Sequence, residues 1–236
     1  MSATPRPMAP GPGTSSNGGA PRTAGGAAVP IIHAVTSDEI VARADFLPHA
    51  RAVMRALGAR GAVHLRARTL SGTRLHALGA ALAELQAGTG AWLVLNDRVD
   101  VALAVGAKGV QLTSRSMQVA DARRVAPGVA VGASIHTIEE ARTAVALGAA
   151  WAVAGHAFES RSHPGEPGRG ASFIRVLVEQ LPELPVIAIG GIRPADVPAL
   201  RAMGARGVAA IRGIWEAADA ERAAIDYLSG YDGIGS

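Results

Sequence analysis

From Pro30 onward, short apolar runs alternate with amphipathic stretches almost to the end of the chain. The strand-like runs are IIHAVT (31–36), AVHLRA (62–67), WLVLND (92–97), GVQL (109–112), AVGASI (130–135), WAVAGH (151–156), PVIAIGG (185–191) and GVAAIRG (207–213). Each is followed by a helix-like stretch, among them DFLPHARAVMRAL, TRLHALGAALAELQ, TIEEARTAVALGA and RPADVPALRAMGA. Alternation of this kind implies parallel strands joined by helical crossovers. Eight such units in about 200 residues predict closure into a single-domain (β/α)8 barrel over residues 30–231. An open doubly wound sheet is the competing arrangement. It usually stops at five or six strands, and its glycine-rich nucleotide turn after the first strand is absent.

A recurring ending supports the barrel. LGAR (57–60), LGAA (147–150) and MGAR (203–206), with VGAK (105–108) as a shorter version, each put a glycine where a helix must stop before the next strand. Ahead of the first strand, residues 1–29 are Pro, Gly, Ser, Thr and Ala with too little apolar content to offset chain entropy. They read as a disordered tail, and 232–236 read as a short C-terminal tail. No continuous apolar signal region precedes the barrel, and no apolar run reaches the 18 or so residues of a membrane span.

Composition narrows the chemistry. At 49% apolar and 18% charged the chain can bury a sizeable core. With only 3% aromatics, Ala, Val, Leu, Ile and Gly are expected to do the packing. Without cysteine there is no disulfide, no thiolate nucleophile and no Cys-based metal site, which fits a cytoplasmic protein. The net charge of +4 invites a nucleic-acid partner. However, Lys108 is the only lysine, the arginines are scattered, and no stacking aromatics lie among them, so neither nucleic acid nor membrane is expected as a partner. A homo-oligomer is left open.

In such barrels the chemistry sits at the C-terminal ends of the strands. The side chains there are His33 and Thr36, His64 with Arg66 and Arg68, Asn96 with Asp97, Gln111 with Thr113, Ser134 with His136, and His156. The last two strands end in Gly190–Gly191 and Arg212–Gly213, where backbone N–H groups beside glycine suit a phosphate. The long loop from Ala157 to Gly170, AFESRSHPGEPGRG, flanks this mouth. His136 suits proton transfer near neutral pH, although a histidine at a strand end can equally be structural. His64 and His156 carry the same ambiguity. Asp97 is the one carboxylate clearly aimed at the mouth, so a metal is not expected from the residues alone.

These residues resemble the thiamine phosphate synthase superfamily. The resemblance runs from Ile31 to about Tyr231 and is carried by NDRVDVALAVGAKGVQL, SIHTIEEA and VIAIGGIRPADVPALRAMGARGVAAIRGI. The superfamily has two branches. One couples a pyrimidine diphosphate to a thiazole phosphate with Mg²⁺; the other, the thiazole tautomerases, aromatises a thiazole carboxylate phosphate. Three positions depart from the coupling branch. Ser116 stands where an acid helps hold Mg²⁺. His64-Leu-Arg66-Ala-Arg68 replaces Gln-x-Arg-x-Lys, and Ser160, Arg161, Ser162 and His163 replace Thr-x-Thr-Lys. IHAVT, HLRAR and GHAFES followed by GEPGRG look like the tautomerase branch.

The resemblance therefore implies a tautomerase that needs no cofactor and has His136 as the proton shuttle. His64, Arg66, Arg68, Asn96, Ser134 and His156 would bind the phosphorylated thiazole, with its phosphate on Gly190, Gly191, Arg212 and Gly213. Asp97 keeps the coupling branch's acid, so a Mg²⁺-dependent synthase using Asp97 stays open, as does a barrel that binds a phosphate ligand without turning it over.

Overall fold

A computed structural model describes residues 28–158 and 170–233. Its strands are β1 (Ile32–Val35), β2 (Gly61–Leu65), β3 (Trp92–Asn96), β4 (Gly109–Leu112), β5 (Ala130–Ile135), β6 (Trp151–Ala154), β7 (Val186–Ile189) and β8 (Gly207–Ala210). They pair in parallel, each with the next, and β8 pairs with β1 to close the barrel. The helices outside are α1 (Asp38–Val41), α2 (Phe46–Leu57), α3 (Gly72–Thr89), α4 (Val99–Val105), α5 (Val119–Val125), α6 (Ile138–Ala146), α7 (Gly170–Gln180), α8 (Val197–Ala202), α9 (Arg212–Trp215) and α10 (Ala220–Asp232). The (β/α)8 architecture expected from the alternation is the one observed.

Helix α2 shows how the pattern builds the outer layer. Phe46, Ala50, Val53, Met54 and Leu57 are buried, a spacing that puts all five on one face of a helix. The stripe packs on the sheet while Arg51 and Arg55 stay in solvent. The four repeated endings do what their glycines predict. Gly58, Gly106, Gly148 and Gly204 have φ of 51°, 71°, 80° and 91°, the left-handed region a side chain resists.

Two boundaries move. Val29 is buried and its carbonyl accepts two hydrogen bonds from Arg206 at 3.1 and 2.8 Å. Residues 28 and 29 therefore belong to the barrel and not to the tail, whose residues 1–27 lie outside the described chain. At the other end α10 runs through Asp232, which pairs with Arg60 at 3.0 Å.

The packing expectation also changes. Trp92 and Trp151 fill the barrel interior with their rings edge to face, centroids 6.4 Å apart, along with Val94, Val153, Ile187 and Ala209. The room for Trp151 comes from its neighbours: a Cβ on Gly132 would sit 2.1 Å from the indole, and one on Gly109 3.0 Å from it. Two small residues on β4 and β5 thus make the socket for one large residue on β6.

Candidate active site

The strand ends open onto a cavity of about 470 Å³, within the range of small-ligand sites. Its wall includes His64, Arg66, Asn96, Ser134, His136 and His156 from the early and middle strands, and Gly190, Gly191, Arg212 and Gly213 from the last two. Of the eleven expected binding and catalytic positions besides Asp97, ten line the cavity; the exception is Arg68, which is exposed on the loop after β2. Both arginines lie beyond the end of β2 at Leu65, but Arg66 is tied back to the barrel by Thr36, whose hydroxyl accepts from its backbone N–H at 2.9 Å and donates to its carbonyl at 3.2 Å, whereas the loop carries Arg68 into solvent. Ser160, Arg161, Ser162 and His163, with most of the long loop, lie outside the described residues.

His136 directly follows β5, just before Thr137 caps α6 by accepting from the backbone N–H of Glu140 at 3.1 Å. Glu140 reaches back. Its carboxylate accepts from the backbone N–H of His136 and lies 3.4 Å from His136 Nδ1. An acid on the Nδ1 side orients the ring and favours the tautomer that leaves Nε2 free to accept a proton. The side chain is about half exposed, which a group that must meet a substrate requires.

His64 is a different kind of histidine. It is buried, and its Nε2 lies 2.7 Å from Nδ1 of His33, whose own Nε2 lies 3.0 Å from the carbonyl of Pro30. A carbonyl can only accept, so His33 Nε2 carries its proton. Its Nδ1 then accepts from His64 Nε2–H. Burial holds both rings neutral. It pushes His33 down to about 4, against the opposing bond to Pro30 and with a smaller contribution from Arg206. His64 is pushed well down by burial and by repulsion from His33, with Asn96 working the other way. A ring so hard to charge is a poor proton shuttle and a good fixed wall. Arg66 is half-buried; desolvation and neighbouring Arg68 lower its pKa, which leaves a poorly hydrated cation on the wall.

Asp97 has φ of 65°, a conformation Asp tolerates better than most residues. It turns its carboxylate toward the loop after β4, where Oδ1 accepts from Thr113 at 2.8 Å and from the hydroxyl of Ser116. One carboxylate oxygen is therefore shared by two hydroxyls, at the place where a two-acid cradle for Mg²⁺ would need a second carboxylate. This donor set does not match such a cradle.

The anion turns owe their shape to packing. Gly190 and Gly191 have φ of 112° and 63°. A Cβ on Gly190 would come within 2.7 Å of His156 Cβ. Tyr227 of α10 donates to the carbonyl of Ile192 at 2.6 Å, and its hydroxyl would lie 2.3 Å from a Cβ on Gly213. One tyrosine thus fits against both turns. Sequence reasoning missed Tyr227 because α10 lies far along the chain from β7. His33, Gln111 and Trp151 all face the barrel interior, and the period-two alternation of their strands is the sequence signal that groups them.

Fold and cavity together define a (β/α)8-barrel enzyme with a histidine- and arginine-lined mouth at the strand C-termini. The family model for thiamine monophosphate synthase matches residues 32–214. A thiamine-phosphate synthase of Pyrococcus furiosus is 33% identical over 177 residues, covering 75% of this chain and 85% of the relative. One from Thermus thermophilus is 37% identical over 162 residues, covering 69% and 78%. Among solved structures, thiamine phosphate pyrophosphorylase from Pyrococcus furiosus superposes with a TM-score of 0.76 at 28% identity, covering 87% of this chain and 97% of that one. The chain belongs to the thiamine monophosphate synthase family. Among the described residues, no helix is long and apolar enough to cross a membrane.

Proposed function

We propose that within this family the chain acts as a thiazole tautomerase, aromatising a thiazole carboxylate phosphate. The observation that carries this reading is the contact between Ser116 and Asp97, where a hydroxyl stands against the carboxylate that metal-assisted coupling would need as half of an acid pair. His136 supplies the chemistry. Its imidazole removes the proton from the ring carbon bearing the carboxylate, the electron pair moves into the ring, and the exocyclic carbon takes a proton back. The reaction is a redox-neutral isomerisation driven by aromaticity, and a positioned base of this kind contributes about 10²–10⁴ in rate. Glu140 orients the ring, the turns at Gly190–Gly191 and Arg212–Gly213 hold the phosphate, and Arg66 faces the ligand's negative charge. Arg68, off the cavity wall, is left out of the ligand shell.

The second reading is the Mg²⁺-dependent coupling of a pyrimidine diphosphate to a thiazole phosphate. The names of the similar proteins favour it, since those relatives are thiamine-phosphate synthases. In that reading Asp97 would hold the ion, which would neutralise the charge developing on the expelled diphosphate. Two assays separate the readings. Incubated with the product of a thiazole synthase reaction, the protein is expected to produce the aromatic ring, followed by proton NMR, at a rate unchanged by EDTA. Given both coupling precursors and millimolar-scale Mg²⁺, it is expected to form little thiamine phosphate. Robust Mg²⁺-dependent thiamine phosphate formation would make the synthase reading the right one.

A further inference from the structure

On the cavity floor a second buried chain of hydrogen bonds runs through Gln111, which itself lines the cavity, and ends at Ser134. Trp151 Nε1 lies 2.8 Å from Gln111 Oε1, and both residues are buried. Gln111 Nε2 lies 3.1 Å from Ser134 Oγ and 3.4 Å from the carbonyl of Leu112. Each link has only one workable direction. An indole N–H only donates, so the amide oxygen must face Trp151. Its NH₂ then faces Ser134 and the Leu112 carbonyl. Turning the amide over would set N–H against N–H at one end and oxygen against carbonyl oxygen at the other. The Ser134 oxygen therefore accepts from Gln111, and no described residue accepts the serine's proton. Ser134 lines the cavity.

We infer that Gln111, oriented by Trp151, is a positioning residue that makes Ser134 a one-way hydrogen-bond donor, and that this part of the cavity floor is built for a ligand carboxylate. The wall around it agrees. Arg66 lines the same cavity half-buried and forms no salt bridge with a described residue, so the cavity offers an anionic ligand a cation as well as the hydroxyl donor. His136 follows Ser134 by two residues and lines the same cavity, which suits removal of a proton from a carbon beside that carboxylate. The identification of the ligand as a carboxylated thiazole rests on the proposed function, whereas the polarity of Ser134 does not.

The test compares binding of the aromatic thiazole carboxylate phosphate with binding of the same compound lacking the carboxylate, by calorimetry on the full chain. The unaltered protein is expected to favour the carboxylated compound by about tenfold or more, the size of one charge-assisted hydrogen bond. Gln111→Met keeps the volume but removes the orienting amide, and is expected to erase most of that preference while leaving affinity for the decarboxylated compound within about twofold. Ser134→Ala is expected to lose as much. The double variant should lose no more than Ser134→Ala alone, because Gln111 acts only through the hydroxyl. Equal weakening of both compounds by Gln111→Met, or losses that multiply in the double variant, would overturn the proposal. Trp151→Phe is the second variant if Gln111→Met does not fold. It removes the donor that holds the amide oxygen and leaves only the 3.4 Å contact with the Leu112 carbonyl to orient the amide, so the preference is expected to fall, and an unchanged preference would equally overturn the proposal. Turnover of the tautomer by the unaltered protein is scored separately, so loss of the tautomerase reading and loss of the carboxylate subsite leave different signatures.

Discussion

His136 and His64 are the same amino acid at equivalent strand ends, and their surroundings give them opposite uses. His136 is exposed and carries a carboxylate partner in Glu140, so it can exchange a proton with a bound molecule. His64 is sealed against His33 and held neutral. Replacing His136 with Ala is expected to lower aromatisation turnover by about 10²-fold or more while affinity for the aromatic product changes little. Steady-state kinetics with a binding titration checks both, and near-normal turnover would move the base elsewhere. Glu140→Gln keeps the length of the side chain but weakens the orientation of the ring. It is expected to cost less than His136→Ala, through kcat more than KM.

Elements matter through what they bring together. Strands β1 and β2 meet in register with Val35 opposite His64, and this places the two imidazoles side by side in the interior. Burial holds the pKa of His33 at about 4 in the folded chain, below its ordinary value of 6.5. The unfolded chain therefore binds more protons between those values. The contribution of the buried ring is full above pH 6.5 and is lost as pH falls toward 4, on the order of 3 kcal/mol for this one group. Urea unfolding at pH 7 and pH 4.5 should show that loss, and His33→Asn should flatten the dependence. Helix α10 acts in a similar way on the last two strands through Tyr227. Tyr227→Phe removes the donor to Ile192 and leaves a buried carbonyl unpaired, which costs about 1–3 kcal/mol. The same variant is expected to weaken inorganic phosphate and phosphorylated-ligand binding more than this loss of stability explains. A thermal melt and a phosphate titration on one sample separate the two effects. Gly213→Ala should be destabilising as well, because its methyl group meets the Tyr227 hydroxyl.

At the scale of the whole molecule, the interior is organised around Trp151. It fills the space left by Gly109 and Gly132, touches Trp92, and starts the hydrogen-bond chain to Ser134. Trp151→Ala would open a large cavity and strand the Gln111 amide, so it is expected to cost about 3–5 kcal/mol or more by denaturant unfolding. A loss under 1 kcal/mol would mean that the barrel collapses around the gap.

The period-two and helical patterns, the glycine stops and the order of units along the chain were enough to determine the barrel, because each depends on neighbours in sequence and on a sheet that must close. The same local logic placed His64, Arg66, Asn96, Ser134, His136 and His156 at the mouth, since strand ends in a parallel barrel point one way. Tertiary structure alone decided which of them share a wall and what each is able to do. Arg66 stayed at the cavity because Thr36 ties it to the barrel while the loop carries Arg68 into solvent, and His64 became a fixed neutral ring because β1 brings His33 against it. Asp97 turned to Ser116 across the ends of β3 and β4, and Ser134 acquired a polarity from an indole 17 residues further along the chain. Burial, proton direction and charge pairing depend on distances between residues remote in sequence, and those distances exist only once the barrel has closed.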